Sequence, residues 1–191
     1  EDLDTTVGMA LDKLRQLNIA DNTYVIYTSD NGGAGGPNIP DEAWNYPLSG
    51  KKGSLQEGGI RVPLIIKGPG IQPNTVSDVP TIVMDLFPTI SELAGTTYPL
   101  HEGIEGTSLV PVLMNGGQLP PQTQTLQRQY AENGELFFHS TEGIFPHSAI
   151  IDGDYKLVKK YGMTIGTLLT STDPNATAHW TPKLKMGGDY E

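Results

Sequence analysis

Two short runs of apolar, β-branched and aromatic residues, 23–28 (TYVIYT) and 62–67 (VPLIIK), constrain this chain more than any other feature. Nearly continuous apolar character over six residues is the pattern of a strand covered on both faces, as in a parallel sheet flanked by helices. The first run follows a stretch, residues 2–17, in which Leu3, Val7, Ala10, Leu11, Leu14 and Leu17 recur at three- and four-residue spacings. That spacing predicts an amphipathic helix, with Asp2 and Asp4 where the helix dipole favours negative charge and Asn18 at its end. A helix followed by a buried strand is an α/β unit, so the expected fold class is α/β. The second run is closed by Gly68-Pro69-Gly70, a strong turn signal.

The connection between the runs, residues 29–61, is rich in glycine and has little periodicity, the mark of a functional or a disordered loop. Residues 81–94 (TIVMDLFPTISELA) return to helical spacing, with Pro88 expected to start a helical turn or kink one and Gly95 to cap the end. Residues 96–129 read as irregular, and a boundary is placed between residues 1–121 and a small α+β subdomain, 122–191. Within the latter, the runs 136–139, 148–151 and 155–159 are separated by turns such as Asp152-Gly153-Asp154 and predict a small antiparallel sheet.

Composition removes several function classes. The chain has no Cys, which excludes a disulfide framework, a thiolate metal site and a Cys nucleophile within these 191 residues. Its formal net charge of −10 leaves no general positive field for nucleic acid or an anionic membrane, so neither is expected as a partner. No apolar run approaches the ~18 residues of a spanning helix. The first residues lack the basic start and apolar stretch of a signal peptide, and the chain opens inside a predicted helix without Met, as a piece of a longer protein would.

Asp30 and Asn31 follow the first strand directly, at the carboxyl end where open α/β sheets form ligand sites. A carboxylate and an amide oxygen there suit a hard divalent cation. Asp-Asn-Gly is equally the chemistry of an ordinary turn, in which Asx side chains bond their own backbone. Gly50-Lys51-Lys52-Gly53, ahead of the second strand, sets an ammonium where the backbone can approach an anion closely, or else is a solvated loop.

Together these stretches carry a resemblance. Thr28-Ser29-Asp30-Asn31-Gly32, then Gly50-Lys51-Lys52-Gly53 and Glu57-Gly58-Gly59-Ile60-Arg61-Val62-Pro63, resemble the type I sulfatase family of the alkaline phosphatase superfamily. The likeness continues in order through Asp85-Leu86-Phe87-Pro88-Thr89-Ile90, Ile104-Glu105-Gly106-Thr107-Ser108-Leu109 and Gly153-Asp154-Tyr155-Lys156-Leu157. It implies the carboxy-terminal part of an alkaline-phosphatase-like α/β sandwich followed by a small antiparallel sheet, in a periplasmic or secreted enzyme. It further implies that Asp30 and Asn31 are metal ligands, for Ca²⁺ with Mg²⁺ as the alternative, and that Lys52 rather than Lys51 is the catalytic, sulfate-contacting Lys. Glu57, Gly58, Gly59 and Arg61 are implied as structural support, and His139 as a substrate-binding residue. His101, His147 and His179 carry no motif.

The resemblance implies hydrolysis of an aryl or carbohydrate sulfate ester by a formylglycine nucleophile. That residue and two further metal-binding carboxylates would come from the amino-terminal half of the same protein, since no Cys-x-Pro-Ser-Arg motif occurs here. Two other readings stay open: a phosphodiesterase or phosphonate monoester hydrolase of the same superfamily, against which Asn31 weighs because those relatives commonly have His there, and a non-catalytic module binding sulfated glycans.

Overall fold

The computed structural model describes residues 2–35, 45–96, 101–141, 147–160 and 177–182, with residues 160 and 177–182 described by their backbone. Part of the 29–61 connection and much of the predicted 122–191 subdomain, including the side chain of His179, lie outside the described residues. In chain order the elements are α1 (Asp2–Gln16), β1 (Val25–Thr28), α2 (Glu57–Ile60), β2 (Leu64–Lys67), α3 (Leu86–Leu93), α4 (Val110–Leu113), β3 (Leu136–Ser140), β4 (His147–Asp152), β5 (Tyr155–Lys160) and β6 (Thr177–Pro182).

The α1 helix ends where Asn18 takes a positive φ of 56°. There the Asn18 N–H donates to Arg15 O at 3.0 Å and the Ile19 N–H to Leu14 O at 3.1 Å, the paired bonds that close a helix around a left-handed residue. The same device ends α3, with Gly95 N–H donating to Glu92 O and Thr96 N–H to Ser91 O. Gly95 is thus the cap its position predicts. Pro88 falls in the first turn of α3, where its missing N–H would have no intrahelical partner in any case.

The first two strands overturn one expectation: β1 and β2 pair antiparallel, with Val25 opposite Lys67 and Thr28 opposite Leu64. The reason lies in the connection. The loop after β1 folds back on that strand's own end, through Gly32 N–H to Gly59 O at 3.0 Å, and delivers the chain to β2 there. A strand that starts where its neighbour stops must run the opposite way, and a parallel pair would need a crossover to the far end. The predicted antiparallel sheet does form, in the order β3-β4-β5-β6.

Leu109, Val112 and Leu126 form a buried cluster against which Leu64, Ile66, Val79, Leu86, Leu113 and Leu119 pack. Each such side chain contributes roughly 1.5–3 kcal/mol when fully buried. Beside the cluster Asp85 is completely buried and paired with Arg128 at 2.6 Å. Its carboxylate accepts from Arg128 Nε and Nη2 and from the backbone N–H groups of Ile82 and Thr107, so each oxygen has two donors. The Thr89 hydroxyl donates to Asp85 O and accepts from Leu109 N–H, which ties α3 to the start of α4.

Candidate functional site

The turn at Asp30, the segment around Lys52 and the α2 helix fold into one knot. Lys52 N–H donates to Gly33 O at 3.0 Å, Gly58 N–H to Ser49 O at 2.7 Å, and Ser54 N–H to Lys51 O at 2.9 Å. Asn45 is the centre of this weave. Its Oδ1 accepts from Gly33 N–H at 2.9 Å, and its Nδ2 donates to Gly33 O at 3.2 Å and to Gly50 O at 3.0 Å. Such contacts need backbones nearer than any Cβ allows: a methyl group on Gly32 would overlap Gly58 O, and one on Gly59 would overlap Ser54 O.

The structure therefore brings three of the four predicted site residues to one place. Asp30 is exposed at the end of β1, and its Oδ1 accepts from Asn31 N–H at 2.9 Å. Asn31 Nδ2 donates to Gly32 O at 2.8 Å, which commits the amide nitrogen to the turn and leaves Oδ1 as the atom with metal-binding character. Lys52 is exposed and Lys51 half-buried. Asp30 and Asn31 thus serve the turn and still offer oxygens of the kind a hard cation takes. Among the described residues no group of three or more His, Asp or Glu side chains gathers as a metal centre, so this pair would supply a minority of a Ca²⁺ shell.

His139 stands elsewhere. In β3 it lies opposite Ser148 of β4, its Nδ1 2.6 Å from the Ser148 hydroxyl. Alternation along β3 puts it on the opposite face of the sheet from Leu136, Ile151 and Lys156, the row that turns toward the knot. From that row the buried Lys156 reaches Glu57 Oε1 at 2.7 Å, while Arg61 Nη1 is 3.6 Å from Glu57 Oε2. Neither the weaving role of Asn45 nor the Glu57–Lys156 pair was visible in the sequence. An Asn in a glycine-rich loop has no distinguishing spacing, and Lys156 is separated from Glu57 by 99 positions.

A strand end with two oxygen side chains is thus joined by backbone hydrogen bonds to a lysine segment between glycines, within a fold of mixed helices and sheets. The family model described as Sulfatase matches residues 1–96. A Formosa agariphila protein named Sulfatase is 38% identical over 149 residues, 72% of this chain and 24% of its own length. Human N-acetylgalactosamine-6-sulfatase is 39% identical over 123 residues, 60% of this chain and 22% of its own. Two solved structures of Ps i-CgsB, one in complex with k-i-k-neocarrahexaose, give TM-scores of 0.61 and 0.60 at 24% identity, covering 90% of this chain and 36% of theirs. At that identity the likeness is one of fold. The chain belongs to the sulfatase family, with the alkaline-phosphatase-like α/β architecture, and spans about a quarter of the length of these curated relatives.

Proposed function

We propose that this chain is part of an enzyme hydrolysing sulfate esters, in which Asp30 and Asn31 contribute oxygens to a divalent cation and Lys52 contacts the sulfuryl group. The observation that carries the reading is the hydrogen bond from Lys52 N–H to Gly33 O, which holds the lysine segment beside the Asp30-Asn31 turn. The exposed carboxylate and the amide oxygen suit Ca²⁺ or Mg²⁺ as two ligands among several. When bound, such a cation would draw electron density from the sulfuryl oxygens. Lys52 would place its ammonium where negative charge develops in the transition state, and the backbone weave would hold that ammonium in position beforehand. The covalent step requires a formylglycine, expected on the amino-terminal half of the same protein together with the remaining metal ligands. The substrate-binding role that the resemblance implies for His139 is not part of this proposal, and its side chain meets the Ser148 hydroxyl.

The test is steady-state hydrolysis of 4-nitrophenyl sulfate by the full-length enzyme containing this chain. Lys52→Ala should lower turnover by ~10²–10³, the usual effect of removing one transition-state donor. Lys51→Ala should change it little. Equal, small effects would favour the solvated-loop reading, and faster hydrolysis of a phosphate diester than of the sulfate would favour the phosphodiesterase one.

A further inference from the structure

Lys156 is the least expected residue on the buried face of the antiparallel sheet. Across β3, β4 and β5 the directly opposed residues Leu136, Ile151 and Lys156 form one row, and they are 5%, 5% and 3% exposed. An ammonium in line with two apolar residues is tolerated only with a partner, because an unpaired buried charge is strongly unfavourable. The partner is Glu57, 2.7 Å away on a different part of the chain. Glu57 is the first residue of α2, whose next residue, Gly58, donates to Ser49 O, and whose Gly59 accepts from Gly32 N–H. The ion pair is therefore fastened to the same backbone weave that sets Lys52 against Gly33.

We propose that Lys156 is a positioning residue: through Glu57 the carboxy-terminal sheet holds α2, and with it the segment 49–53, in the arrangement that presents Lys52. The inference rests on the role proposed above for Lys52 but reaches a residue on the remote sheet. Docking of the sheet becomes geometry-specific, since only one placement meets the buried ammonium with its carboxylate. Removing the ammonium leaves Glu57 with Arg61 at 3.6 Å and releases α2 from the sheet. A Met at position 156 conserves the stem and packing and deletes the charge; Arg conserves the charge.

The experiment uses the full-length enzyme and two readouts. Hydrogen exchange followed by mass spectrometry should show amides within residues 49–60 exchanging roughly tenfold faster or more in Lys156→Met, while those of α1 keep their parental rates. Turnover of 4-nitrophenyl sulfate should fall in Lys156→Met and recover in Lys156→Arg. In the Lys52→Ala background Lys156→Met should add little further loss, because both changes act on one ammonium. Unchanged exchange over 49–60, or a loss fully multiplicative with that of Lys52→Ala, overturns the proposal. If Lys156→Met fails to fold, the exchanged pair Glu57→Lys with Lys156→Glu decides: restored protection and turnover support it, and failure to restore either overturns it. Faster exchange in Lys156→Met alongside a Lys52→Ala variant of parental activity would support the coupling and defeat the catalytic role assigned to Lys52.

Discussion

A carboxylate that collects two hydrogen bonds from a single neighbour keeps its charge to lower pH, and Glu135, just before β3, is such a group. Asn133 donates its side-chain Nδ2 to Glu135 Oε1 and its backbone N–H to Oε2, each at 3.0 Å. The side-chain bond is the largest cause of a pKa held below the ordinary carboxylate value. A folded-state pKa lower than the unfolded one stabilises the fold above the unfolded value, and that contribution disappears as pH falls through the folded value. Asn133→Ala should move the Glu135 midpoint upward, read from the carboxyl carbon in an NMR titration. An unmoved midpoint would assign the shift to another cause. At this same scale the sequence separated Lys51 from Lys52 only through a family pattern; in the structure both take part in the backbone weave, Lys52 N–H donating to Gly33 O and Lys51 O accepting from Ser54 N–H.

Among the elements, α3 and the turn at Arg128 depend on one another. Arg128 lies 43 positions after Asp85, yet its guanidinium binds both oxygens of that carboxylate and also donates to Pro80 O and Leu126 O. Asp85 was legible only as part of a helical stretch, 81–94, and of a family motif, and nothing in the polar stretch around Arg128 announced a buried cation. Arg128→Met should cost roughly 3–5 kcal/mol, because it strands the Asp85 carboxylate away from water. Urea-induced unfolding would measure the loss, and a variant within ~0.5 kcal/mol of the parent would mean that Asp85 is satisfied without Arg128. Arg128→Lys should recover only part of it, since an ammonium cannot reproduce the two-pronged bond.

At the level of the whole molecule, much apolar surface is bare. No residue of α1 is buried, and Leu3 is 62% exposed, Ile65 in β2 61% and Phe87 in α3 57%. Large exposed apolar area with unpaired strand edges favours association. We therefore expect the 191-residue chain by itself to aggregate, or to be held by a partner, for which the proposed amino-terminal half is the natural candidate. It should also be inactive toward 4-nitrophenyl sulfate with Ca²⁺ in excess, because binding a sulfate group without a nucleophile does not supply the covalent step. Metal-dependent turnover by the purified chain, shown by mass spectrometry to be free of longer protein, would mean that the nucleophile lies within these residues.

What the amino-acid sequence determined by itself is local. The helix expected over 2–17 and the helical stretch expected over 81–94, of which only Leu86–Leu93 is α-helix, together with the strand-forming runs and the capping positions, follow from periodicity and from residues such as Asn18 and Gly95, which act on backbone within a few positions. The family resemblance, too, was readable from short contiguous motifs. The relative direction of β1 and β2, the bridging by Asn45, and the pairs Asp85–Arg128 and Glu57–Lys156 were decided only in three dimensions. Each joins chain segments at separations that carry no periodic signal. A buried charge finds its partner through desolvation and geometry, which act on distance in space and are blind to distance along the chain.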